Sequence, residues 1–371
     1  MSRISADERA SERRTRVTIA DVADALGLTK GTVSRAMNGY PDISDATRQR
    51  VRRKAEVMGY RPLAQAQAIR TGRSRALGLV LQTDIPGAQR PFLSDFLAGV
   101  TSAASAESWT LTVATSAGDM EMLATLERLV DERKADGFIL PRTWTHDARM
   151  KLLRALDVPF VLYGRVADPE GCAWFDILGE EAMREAVVRL ASHGHSRIGF
   201  VNGGLEYNFS GLRAEGFRRG MAEAGLTVAP DLMLSGAMTL EAGAEATRSL
   251  LSLEVPPTAI VFAVDAAALG AYHATESLGL EIGRDVSIIS YDGIPEGAWV
   301  RPPLTTFSVD SRNAGSRLAE LLIRRVRGEA PETLRETAHA TLQIGGSDGP
   351  PLLSSDEIAR RVQAAGAERP N

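Results

Sequence analysis

The chain has 371 residues, is 44% hydrophobic, carries a net charge of −4 and contains one cysteine, Cys172. That length predicts two to three domains with buried cores. One cysteine excludes an internal disulfide or a cysteine metal cluster, and no apolar run approaches the roughly 18 residues of a membrane helix. The charge is unevenly spread: residues 1–75 carry 16 Lys and Arg against 8 Asp and Glu, whereas residues 76–371 carry 27 against 39. A polyanionic partner is therefore expected for the N-terminal piece alone.

Residues 1–14 read as a charged, disordered arm, and the lack of a signal-peptide core there predicts a cytoplasmic protein. Residues 15–61 read as three short helices. Thr18 caps the first, with Asp21 as its capping-box partner, and Ile19, Val22, Ala23 and Leu26 line one face. Gly27 suits a left-handed C-cap. Thr29 caps the second helix, Lys30 to Met37, which ends at Asn38 and Gly39. Its inner stripe is Val33, Ala36 and Met37, which leaves Lys30, Gly31, Ser34 and Arg35 outside. Ser44 caps a third helix, Asp45 to Met58, bearing Arg48, Arg50, Arg52, Arg53 and Lys54. A solvated three-helix bundle would show the same periodicity. The basic excess favours a helix–turn–helix instead, whose second helix presents its N-terminal residues to DNA bases. Residues 62–75 follow as a hinge and linker; Leu63 to Ile69 is helix-prone but too short to be stable alone.

From residue 76 buried-strand runs alternate with amphipathic stretches. The runs are 77–81, 111–113, 137–140 and 160–163, then 198–201, 259–262 and 286–290. Two such series predict two doubly wound parallel-sheet subdomains, about 76–174 with 307–335 and about 175–306 with 336–349, and a tail over 350–371 that carries no sustained heptad repeat. Ligands of such sheets sit beyond the carboxyl ends of the strands. Residues at those ends include Phe92, Arg142, Arg165, Tyr207, Arg213, Asp265 and Asp292. Forked donors, carboxylates and aromatic faces together suit a saccharide.

Two motifs suggest chemistry and do not carry it. Gly345-Gly-Ser347-Asp-Gly349 matches a nucleophile elbow, but no histidine follows Ser347. His193 and His195 lack the cluster that a metal needs. The expectation is no enzyme activity, no metal and no cofactor.

The blocks Thr18-Ile-Ala-Asp-Val-Ala23, Thr32-Val-Ser-Arg35 and Gly59-Tyr-Arg-Pro62, in this order and spacing, resemble the headpiece of the LacI/GalR family of bacterial repressors. Gly194-His195, Val286 to Asp292 and Pro302 to Thr306 resemble landmarks of that family's periplasmic-binding-protein-like effector domain. The resemblance implies a small all-α helix-turn-helix headpiece plus an α/β periplasmic-binding-protein-like domain. It implies a homodimer on a palindromic double-stranded operator, released by a small-molecule effector, with an α-glucoside the leading candidate. Base reading falls by position on Lys30, Gly31 and Arg35, with Thr18, Thr29, Thr32, Ser34 and Asn38 supporting. Ala66 and the wedge residue Ile69 fall in the hinge. Arg213, Asp292 and Asp265 match effector contacts; Val264 stands where sugar-responsive members often have Asn. A sugar-binding sensing or transport module is the alternative, and the headpiece is what separates the two.

Overall fold

The computed structural model describes residues 17–60, 73–83 and 90–367. The expected arm, Ala66 and Ile69 of the hinge, and the side chain of Phe92 lie outside the described residues. The chain forms two units, Met1–Ser74 and Arg75–Asn371, each taken by itself below.

In the first unit α1 (Ile19–Leu26), α2 (Lys30–Met37) and α3 (Asp45–Met58) follow from their caps. Thr18 and Asp21 form a reciprocal capping box, Gly27 and Gly59 close their helices in left-handed conformation, and Thr29 and Ser44 each accept an amide from their own first turn. Val22, Ala23, Val33, Ala36, Val51 and Ala55 are the buried core. Small valines and alanines form its fully buried centre, and larger apolar side chains, among them Ile19, Leu26, Leu28 and Met37, pack around it.

The second unit holds two six-stranded sheets. The first sheet uses β1 (Ala76–Gln82), β2 (Thr110–Ser116), β3 (Gly137–Pro141), β4 (Phe160–Tyr163) and β5 (Ala173–Ile177). A late strand, β11 (Arg335–Ala338), completes the parallel order β11-β5-β4-β3-β1-β2. It packs with α4 (Arg90–Ala106), α5 (Asp119–Asp131), α6 (Ala148–Ala155) and the late helix α11 (Ser311–Val326). The second sheet has β6 (Ile198–Val201), β7 (Met233–Leu234), β8 (Ala259–Phe262), β9 (Ser287–Asp292), β10 (Thr305–Ser308) and β12 (Thr341–Gln343). Its order is β12-β10-β9-β8-β6-β7, parallel except for β12. Helices α7 (Gly179–Ser192), α8 (Asn208–Glu223), α9 (Leu240–Leu251) and α10 (Asp265–Ser277) belong with it. The C-terminal helix α12 (Ser355–Ala367) docks on this half through fully buried Ile358.

Three chain crossings join the halves: after Ile177, after Ser308 and after Ala338. These lie slightly beyond the expected 174/175, 306/307 and 335/336. The correction has two causes: β10 and β11 are short and rich in polar residues, so no apolar run marks their ends, while β5, Ala-Trp-Phe-Asp-Ile, is apolar apart from Asp176 and continues past the expected boundary. The elbow-like Ser347 is structural. It is buried, donates to the Ile288 carbonyl at 2.6 Å and accepts the Thr305 amide at 2.8 Å.

The α7–α8 pair positions much of the cleft described next. A Cβ on Gly216 would lie 2.0 Å from the Glu180 carbonyl oxygen, so only glycine permits this approach. Gly216→Ala is expected to part the two helices, cost about 1–3 kcal/mol and lower the thermal midpoint; an unchanged midpoint in a calorimetric scan would refute this packing.

Candidate DNA-reading surface and ligand cleft

The N-terminus of α2 is built by its cap. Thr29 accepts the Thr32 amide at 3.1 Å, and the two hydroxyls lie 2.9 Å apart. Asn38 donates to the Ser34 carbonyl at 2.7 Å and closes the other end. Lys30, Gly31 and Arg35 are left exposed on one face. Thr18 is engaged with Asp21 at the start of α1. The Arg35 guanidinium is ion-paired with Asp42 and lies 5.7 Å from the centre of the Tyr40 ring. Of the other basic side chains, Arg50 donates to the Leu26 carbonyl and ties α3 to α1, while Arg52 and Arg53 remain exposed. The unit thus presents a short helix whose backbone is fixed and whose outer face carries two cations.

In the large unit a cavity of about 140 Å³ lies between the sheets, against the first and second crossings, with Ile177, Gly179 and Val309 in its wall. Arg142, Arg165, Arg213 and Asp292 line it as expected from strand-end positions. Tyr163, Phe209, Met238, Val264, Tyr291 and Ile294 supply apolar surface, and Asp176 and Glu180 add two carboxylates.

Arg213 projects from α8 and is held rigidly. Its guanidinium sits 4.0 Å from the Tyr291 ring centre and 4.5 Å from that of Phe209, and Nη1 donates to the Ala263 carbonyl at 2.5 Å. Gly179 faces it; a Cβ there would lie 2.9 Å from Nε. That buried Nε has no hydrogen-bond partner, so a donor remains for a ligand. Arg165 bridges the halves: Nε donates to Asp176 at 2.5 Å, and Nη2 pairs with Glu180 at the start of α7. The second Glu180 oxygen is buried and unpartnered. Burial pushes the Asp176 carboxyl up while Arg165 pulls it down.

Two expected ligand residues are placed elsewhere. Asp265 is fully buried and accepts from the Gly293 and Ile294 amides at 2.7 and 2.9 Å and from the Thr306 hydroxyl at 2.7 Å. Its oxygens are spent on fixing the turn after Asp292, whose φ of 134° is strained for a residue with a side chain. Tyr207 lies in a latch outside the cavity wall. There the Thr145 amide donates to the Glu206 carbonyl at 2.9 Å, the Asn208 amide to that of Thr143 at 3.0 Å, and the Asn208 side chain to that of Trp144 at 2.7 Å. The Tyr207 ring stacks on Phe209 at 5.3 Å and lies 5.9 Å from the Arg142 guanidinium, so it positions rather than lines. Asp176 and Glu180 were not anticipated: Asp176 sits inside the largely apolar run Ala173–Ile177, and Glu180 lies in the first turn of α7.

A DNA-presenting helical unit and a hinged two-sheet unit with a polar, aromatic cleft define a ligand-responsive regulator. Residues 18–62 match the model of bacterial regulatory proteins of the lacI family, and residues 187–347 match the periplasmic binding protein-like domain. The chain is 35% identical over 342 residues to the HTH-type transcriptional regulator AglR of Rhizobium meliloti, covering 90% of this chain and 95% of that one. It is 31% identical to RafR of Escherichia coli, covering 85% and 94%. The solved structure of a transcriptional regulator CelR–cellobiose complex superposes with a TM-score of 0.70 at 27% identity, over 90% of this chain and 100% of that one. The lac repressor dimer bound to operator shares the fold, with a TM-score of 0.73 at 24% identity over 90% and 100%. The chain belongs to the lacI family and is a DNA-binding transcriptional regulator. Among the described residues no helix is long and apolar enough to cross a membrane.

Burial pushes the Asp292 carboxyl up to about 7, with Arg213 and Arg142 pulling down and Asp265 adding to the rise. A folded value above the unfolded one means that this group contributes stability fully below about pH 4 and loses it as pH rises through about 7. Asp292→Asn does not titrate. The thermal midpoint of the parent minus that of the Asn variant should therefore fall between roughly pH 5 and roughly pH 8; a constant difference would contradict the assignment.

Proposed function

We propose that this regulator represses a carbohydrate-utilisation operon in the cytoplasm, binds a palindromic operator as a homodimer, and is released when a saccharide occupies the cleft. Base reading is assigned to Lys30 and Arg35. Either can bond guanine O6 and N7, though only Arg does so as a fixed fork, and Gly31 offers no side chain between them. Thr29, Thr32, Ser34 and Asn38 support the helix and its phosphate contacts. Ala66 and Ile69 are assigned to the minor groove, where an apolar wedge kinks DNA. No enzymatic step, metal or cofactor enters this reading.

The observation that carries the ligand class is Arg213, clamped between Phe209 and Tyr291 with its Nε unsatisfied and Asp292 in the same cavity. An aromatic wall takes a sugar ring face, while a carboxylate and a rigid guanidinium take neighbouring hydroxyls. The complex of CelR with cellobiose, a β-linked glucose disaccharide, supports a glucoside of either linkage; α-glucosides are tested beside β-glucosides because the resemblance to sugar-operon regulators points to them. The ligand changes DNA affinity only through its differential affinity for two arrangements of the sheets.

The test is a thermal-shift screen of saccharides, nucleobases and sugar phosphates with the full chain. A saccharide near a hundred times its dissociation constant should raise the midpoint by about 5 °C, and Arg213→Ala should abolish the rise. A nucleobase hit, or a normal response from the variant, would overturn the reading.

A further inference from the structure

We propose that Asp42 is a positioning residue for base recognition: it holds the Arg35 guanidinium with its fork turned outward, ready for guanine. The inference rests on the assignment of Arg35 as a base reader.

The geometry of one turn carries it. Gly39, at a φ of 71°, reverses the chain after α2. The Tyr40 amide then donates back to the Arg35 carbonyl at 3.1 Å, and the Ile43 amide to that of Tyr40 at 3.2 Å. The turn 39–43 is thereby fixed against the last turn of α2. It brings Asp42 onto the Nη2 side of the guanidinium and the Tyr40 ring against the same group. Asp42 is not needed for helix capping, because Ser44 caps α3. Nor do the nearby carboxylates serve Arg35: Asp21 is held in the α1 capping box, and Asp45 pairs with Arg48.

A carboxylate near bound DNA repels phosphate, so the electrostatic contribution of Asp42 is unfavourable on DNA of every sequence. Orientation supplies the compensating gain. A guanidinium has five donors, and one carboxylate leaves most of them free. Both partners are about half exposed, at 53% and 43% of their side chains, so the pair remains accessible to a partner. On a guanine the pair stays intact, and Arg35 arrives with its rotamers already restricted, saving about the cost of ordering one long side chain. On mixed sequence that benefit is unused and the repulsion between Asp42 and phosphate remains. Asp42 therefore raises affinity for the guanine-bearing site and lowers it for mixed sequence, which raises the ratio of the two.

The experiment uses the full chain, the duplex recovered from a random pool by binding-site selection, and a mixed-sequence duplex of equal length. Asp42→Asn should weaken the selected duplex and tighten the mixed one, lowering the ratio about fivefold. A purely structural defect would weaken both. Asp42→Glu should restore most of the ratio, and Asp42→Asn added to Arg35→Gln should leave the ratio of Arg35→Gln unchanged. A normal ratio in Asp42→Asn, alongside a collapsed ratio in Arg35→Gln, would overturn the role of Asp42 alone. A normal ratio in Arg35→Gln would overturn the base-reading assignment and this inference with it.

Discussion

Among the described residues three short stretches of chain, after Ile177, Ser308 and Ala338, covalently join the two sheets of the large unit. The rest of that unit is organised by this constraint. Strand ends of both sheets face a shared cleft, so loop residues far apart in sequence meet there. Arg142 and Arg165 come from the first sheet; Arg213 and Asp292 come from the second. Because the crossings are few, the halves can move as bodies, and contacts that span them bias one arrangement over another. Two such contacts stand out. The Arg165 bridge reaches Glu180 at the start of α7, and the latch joins residues 143–145 to 206–208 through backbone hydrogen bonds. A ligand that binds among these groups changes the balance between arrangements without any new covalent connection.

The small unit solves a different problem with the same economy. Its fully buried centre is valine and alanine, with larger apolar side chains only partly buried around it, so it has little apolar area with which to fix long surface side chains. Caps and turns do that work instead. The Thr29 cap sets the first turn of α2, and the turn 39–43 brings Tyr40 and Asp42 against Arg35. A reading head gains precision when its side chains are already ordered before contact.

Much of this was legible in the sequence, and what was missed has physical causes. Caps announce themselves locally, so Thr18, Gly27, Thr29 and Ser44 take the positions read for them. Apolar runs announced β1, β3, β4, β6 and β8. The strands β10, β11 and β12 carry mostly Thr, Ser, Arg, Glu or Gln, so periodicity did not reveal them or the crossings beside them, while β5 is a short apolar run interrupted by Asp176. Strand-end position named four residues that line the cavity, Arg142, Arg165, Arg213 and Asp292. It could not say which way a side chain turns. Asp265 stands at the expected place and points inward to Thr306 and the turn at 293–294. Tyr207 serves the latch and holds Arg142. Asp42 lies seven residues from its partner across a reversal, where no helix-spacing rule would pair them.

The central claim is that occupancy of the cleft and affinity for DNA are one coupled equilibrium. Linkage makes this a single number: the factor by which a saccharide changes operator affinity equals the factor by which operator changes saccharide affinity. The direct measurement is a titration of the full chain with its selected duplex, with and without a saturating saccharide that binds the cleft. The account predicts a loss of affinity of about tenfold or more with saccharide present. An identical titration curve, with the saccharide demonstrably bound, would contradict it.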